Sequence, residues 1–132
     1  MKEVTAKLKT YRQSPRKVRI VAKAIRGKRV SDALAMLSFT AKRSADPLHK
    51  LISSAVANAK DLSIPVENLV IKELKVDEGA ILYRRRPRSR GMANPIRKRT
   101  SHVTVILTDN PRPTTNKRNK KVVGGKSSVV SK

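Results

Sequence analysis

His49 and His102 are the only side chains in this chain whose ordinary titration falls near neutral pH. His49 sits among periodic apolar residues and His102 in the alternating run "SHVTVILTD". Neither has a neighbour that completes a catalytic triad or a metal cluster. Asp77 and Glu78 stand beside Gly79, the context of a turn or bulge rather than of paired acid–base carboxylates. Near the C-terminus "GGKSS" resembles the end of a phosphate-binding loop, but G-x-x-x-x-G-K-S needs glycine where Lys120 stands. The chain has no cysteine, which excludes disulfides and thiolate zinc sites. No catalytic residue, no metal site and no cofactor is expected.

The chemistry that remains is cationic. Between Arg84 and Arg99, inside "ILYRRRPRSRGMANPIRKRTSHVTVIL", lie eight cations and no acid, seven of them arginine. Guanidinium groups grip phosphate with two parallel hydrogen bonds and stack on bases, which suits close burial in folded RNA. From Tyr83 to Thr100 only Tyr83, Met92, Ala93 and Ile96 offer apolar or sizeable contacts, so this stretch cannot build a core of its own. Single-strand readers use aromatic platforms, and Tyr11, Phe39 and Tyr83 are too few to make one. Recognition of structured RNA through shape and backbone is therefore expected.

The rest of the chain must position that stretch. Its 132 residues suffice for one small domain, and a net charge of +23 favours a polyanionic partner over a compact isolated monomer. Residues 1–30 hold eleven bases and one acid, 31–79 six bases and seven acids, and 80–132 fifteen bases and one acid. The near-neutral middle is the expected folding core, flanked by two polycations. No apolar run approaches the roughly 18 residues of a membrane span, and residues 1–10 carry charges every few positions. A soluble, intracellular protein without membrane contact is expected.

"EVTAKLKTY" alternates Val4, Ala6 and Leu8 with polar residues, the pattern of a half-buried strand ending near Arg12. In "SPRKVRIVAKAIRG", Ser14 can cap a helix, Pro15 fits its first position and Gly27 supplies a left-handed stop. That helix is basic and amphipathic, but it lacks Trp or Phe and is expected to pack on a core rather than a membrane. A second helix is predicted from a Ser31 cap to about Thr40. A third follows a Ser44 cap, with Leu48, Leu51, Ile52, Ala55, Val56 and Ala59 on one face. "NLVIKELKV" and the run ending at Asp109 are nearly symmetric about Gly91, which predicts one long antiparallel hairpin reaching ~50 Å. From Asn110 the composition, with seven bases and no acid, predicts a basic tail that does not order itself.

"SPRKVR", "SAVANA" at 54–59, "VDEG" at 76–79, "PRSRG" at 87–91 and "KRTSHVTV" at 98–105 together resemble the bacterial-type ribosomal protein uL22 (L22) family of the large subunit, over roughly residues 3–109. The resemblance implies an α+β fold: a small globular domain of three helices on a small antiparallel sheet, with a long protruding β-hairpin and, in this chain, a basic C-terminal tail. The implied division is a body of residues 1–79 and 101–109, an arm at about 80–100, and a tail at 110–132. The implied function is a structural constituent of the large ribosomal subunit, cytoplasmic, organising ribosomal RNA while the hairpin lines the peptide exit tunnel. Implied partners are large-subunit ribosomal RNA, neighbouring large-subunit ribosomal proteins and the nascent polypeptide.

Implied RNA contacts are Lys7, Lys9 and Arg12 along the first strand, and Ser14, Arg16, Lys17 and Arg19 on the first helix. Arg84, Arg85, Arg86, Arg97, Lys98 and Arg99 follow on the arm, with Thr100, Ser101 and His102 at its return. Arg88, Ser89, Arg90, Gly91, Met92 and Ala93 form the implied tunnel-lining tip. Three residues depart from the family pattern: Ala80 stands where proline is common, Met92 where another base is common, and Pro95 interrupts the return arm. Pro95 is expected to mark a bulge or an unpaired rim. A free-standing architectural nucleic-acid binder is the other reading of the same charge, and an enzyme is the least supported.

Overall fold

The computed structural model describes residues 2–109, so the tail expected from Asn110 lies outside the described residues. Strand β1 (Glu3–Tyr11) leads into three helices, α1 (Pro15–Ile25), α2 (Val30–Phe39) and α3 (Ala45–Asp61). Strands β2 (Val70–Glu78), β3 (Leu82–Pro87), β4 (Ala93–Lys98) and β5 (Ser101–Thr108) follow. β1, β5 and β2 form an antiparallel sheet in that order, and β3 and β4 form a separate two-stranded ribbon.

The core lies between the helices and one face of the three-stranded sheet. Val4 and Ala6 of β1, Ile71, Leu74 and Val76 of β2, and Val103, Val105 and Leu107 of β5 point into it. Val18, Val21, Ala22 and Ile25 of α1 meet them, as do Leu48, Leu51, Ile52, Ala55 and Ala59 of α3. Full burial of a side chain such as Ile52 or Ile71 is worth about 1.5–3 kcal/mol. The opposite sheet face carries Lys7, Thr104 and Lys75 in register, with Asp77 opposite His102, and none of the described helices covers it.

Local signals explain the helix ends. α1 starts after Ser14 with Pro15 in its first turn, and the chain leaves it through Gly27 at φ 78°, whose amide donates to the Ile71 carbonyl at 3.0 Å. The Ser14 hydroxyl makes no capping bond. α2 begins one residue before the expected Ser31 cap, with Arg29 as N-cap. The reason is that residues 27–30 pair with Leu69–Ile71 and hold Val30 in the core. α3 starts after Ser44, as its sequence predicts.

The expected single hairpin is broken into two ladders. Gly79 donates to the Thr100 carbonyl at 3.0 Å, and pairing resumes at Leu82 and Lys98. Ala80 and Ile81 thus oppose Arg99 alone, a one-residue bulge that frees the ribbon from the sheet. Only the outer part projects, roughly 25 Å at ~3.3 Å per residue rather than the ~50 Å expected. Pro95 marks no bulge, since the register runs unbroken through Arg85 and Pro95. Arg88 donates to Met92 at 2.8 Å, and bonded and non-bonded pairs alternate from there. Pro87 and Pro95 therefore both take positions where an amide would point away from the partner strand, and the ladder loses nothing.

Candidate nucleic-acid interface

Every residue from Tyr83 to Arg99 is exposed. Alternation along β3 and β4 sets Arg84, Arg86 and Lys98 on one face of the ribbon and Arg85 and Arg97 on the other. A strand pair on a protein surface has an inner face, whereas this one is cationic on both. Among the described residues the ion pairs are Lys72 with Glu3 and Lys75 with Glu73, both on the body, so none of the eight arm cations has a carboxylate partner. At the tip a tight turn, Ser89–Gly91, reverses the chain, with Arg90 at φ 58° and Gly91 at φ 70°. Arg90 is held in a left-handed conformation that costs an L-residue about 1–2 kcal/mol.

At the root of the arm the cations of body and ribbon converge. Arg12, Ser14 and Arg43 from the body and Arg97, Lys98 and Arg99 from the arm line one cleft of ≈ 630 Å³. Arg43 is a functional candidate that sequence reasoning missed, because the Lys42–Arg43 pair lies between two predicted helices and looks like linker. The Tyr11 hydroxyl is 2.7 Å from the Gln13 Oε1 and 3.2 Å from the Arg43 carbonyl, fastening the α2–α3 connection to the end of β1. Burial raises the Tyr11 phenol above its usual range, opposed by the Arg43 charge and reinforced by Asp46, so the hydroxyl stays a donor.

Other implied contacts are placed differently. Arg16 and Lys17 are exposed in the first turn of α1, which carries no acid, so two cations sit where the helix dipole favours an anion. Arg19, by contrast, donates from Nε and Nη2 to the Val76 carbonyl at 3.1 and 2.9 Å, and Arg26 donates to Leu74 at 2.6 Å. Both guanidinium groups cap the outer edge of β2, which would otherwise be open to a foreign strand. Thr100 and Ser101 are 1% and 0% exposed, so neither side chain reaches a surface where RNA could touch it. The Thr100 hydroxyl instead donates to the Ala80 carbonyl at 2.7 Å and closes the bulge.

Lys7 and Lys9 are exposed on β1. Beyond Leu8 the strand bulges, with Lys9 and Thr10 opposite His102 and Thr10 at φ 55°. The Thr10 amide freed by the bulge donates to His102 Nδ1 at 3.0 Å, which places the proton of a neutral imidazole on Nε2. His49 is half-buried on α3.

Among the described residues no group of His, Asp and Glu could hold a metal ion, and no helix is long and apolar enough to cross a membrane. Architecture and charge define an α+β scaffold protein with a projecting cationic hairpin. The family described as ribosomal protein L22p/L17e matches residues 6–108. Two proteins named large ribosomal subunit protein uL22, from Desulfitobacterium hafniense strains DSM 10664 / DCB-2 and Y51, are each 49% identical over 110 residues. In both cases the match covers 83% of this chain and 96% of the relative. The chain belongs to the ribosomal protein L22p/L17e family.

Proposed function

We propose that this chain is a structural, non-enzymatic constituent of the large ribosomal subunit that binds and organises ribosomal RNA and packs beside neighbouring ribosomal proteins. In this reading Arg84–Arg86 and Arg97–Arg99 hold RNA on the two faces of the arm. Arg12, Ser14, Arg16, Lys17, Lys7 and Lys9 hold it on the body. The tip, Arg88 to Ala93, borders the path of the nascent polypeptide. The observation that carries the reading is the ribbon with cations on both faces, no acid and, among the described residues, no apolar cover, since only a polyanion that encloses it satisfies both faces at once. Family membership weighs against a free-standing architectural binder.

Affinity for a large-subunit RNA fragment should fall linearly with log salt, by about 0.7–0.9 per phosphate contact. Replacing Arg84, Arg85 and Arg86 with glutamine should flatten that slope by ~2 units, whereas Arg19→Gln, whose guanidinium is spent on Val76, should leave it unchanged. An unaltered slope in the triple variant would remove this arm from the RNA interface.

A further inference from the structure

We propose that the cleft lined by Arg12, Ser14, Arg43, Arg97, Lys98 and Arg99 is a phosphate clamp. Its occupant is a tightly folded stretch of RNA backbone, and its occupancy fixes the angle between arm and body. This rests on the RNA-binding reading and adds to it a defined site, a body residue outside the sequence-implied set and a mechanical consequence.

Three observations carry the assignment. First, five cations and one hydroxyl face one cleft of ≈ 630 Å³, and no carboxylate lines it. Like charges brought together without a counter-charge oppose compaction, and such an arrangement is favourable only when an anion is present. Five cations exceed what one phosphodiester neutralises, so several phosphates must approach together, as they do where RNA backbone folds tightly on itself.

Second, the two walls of the cleft belong to bodies that little else joins. Arg97 and Lys98 sit on β4, which among the described residues pairs only with β3, while Arg12 and Arg43 sit on body loops. The connection runs through the bulge at Ala80, Ile81 and Arg99, closed by the Gly79 amide and the Thr100 hydroxyl. An anion gripped from both walls is therefore a cross-brace over the joint between arm and body.

Third, Arg43 is held in place without using its guanidinium. The Tyr11 hydroxyl bonds its carbonyl, and the side chain is left exposed to the cleft. A residue anchored by its backbone can lose its side-chain charge without loss of fold, which makes Arg43→Gln a clean probe.

The chain has no cysteine, so spin labels can be attached at Ser54→Cys on α3 and Ser89→Cys at the tip of the full-length protein. The label-to-label distance distribution should be broad in low-salt buffer and should narrow on titration with tripolyphosphate. Arg43→Gln should raise the titration midpoint about tenfold, as expected for a lost charge-assisted hydrogen bond. Arg85→Gln, on the arm but outside the cleft, should shift it far less. A short RNA hairpin should narrow the distribution and displace tripolyphosphate; failure to displace it would overturn RNA as the occupant. A distribution already narrow without any anion, or a midpoint unchanged by Arg43→Gln, would overturn the clamp. If RNA binds with its expected salt slope but Arg43→Gln alters neither midpoint, the clamp falls and the RNA-binding reading stands. If wild-type protein binds no RNA, both fall.

Discussion

Gly79 has no room for one added carbon. A Cβ there would lie 2.4 Å from the Thr100 Oγ1 and 3.0 Å from the His102 Nε2. Neither neighbour can move cheaply: Thr100 is β-branched, buried and bonded to Ala80, while His102 accepts from the Thr10 amide. Gly79→Ala should destabilise the protein by about 1–3 kcal/mol in denaturant unfolding, the range for forced overpacking. Thr100→Ala removes the nearest obstacle at the expense of one hydrogen bond, so the double variant should lose less than the two single losses together. Strict additivity would mean that the close approach of Gly79 to Thr100 does not set the bulge. The same residues show why an implied RNA contact can be a packing residue: a hydroxyl beside a run of arginines looks like interface in sequence, and its burial is decided by a strand many residues away.

At the scale of elements, body and ribbon should differ sharply in stability. A two-stranded hairpin without a packed face is marginal in water, and local opening follows the density of buried contacts. In the free protein, amides of residues 84–99 should exchange near the unprotected rate while those of Leu51 to Ala59 exchange only on global opening. Equal protection would show that the ribbon orders itself without RNA. The helices were legible because their signals are local: Ser14–Pro15 and Gly27 bracket α1, and the apolar positions of α3 recur at helical spacing. The arm's charge was legible in the acid-free run from Arg84 to Arg99. The break between ladders was not, because "GAIL" continues the strand pattern and only the burial of Thr100 decides where pairing stops. Arg43 and the edge-capping role of Arg19 were hidden for a related reason. Their partners lie 32 and 57 residues away, and an arginine on a helix or loop carries no local sign of which carbonyl or cleft it faces.

In the proposed reading the molecule divides into a root that grips RNA and a tip that borders the nascent chain. Five cations meet at the arm's root, where body and ribbon share a cleft, while Arg88 to Met92 are all exposed. Deleting Arg88 to Met92 should therefore leave incorporation into large subunits nearly unchanged. In the proposed reading it should also reshape the wall along which the nascent chain passes, detectable as altered peptide-dependent pausing. Acidic replacement of Arg97, Lys98 and Arg99 places three like charges against phosphate at the root and should impair assembly severely, since the repulsion acts at close range and from the shared cleft. The body should survive this change, because all three side chains are exposed and none contributes to the core. Comparing the fraction of each variant in mature large subunits with its unfolding midpoint separates lost grip from lost fold. If the tip deletion fails to assemble while the acidic variant incorporates normally, holding and bordering are not divided between root and tip.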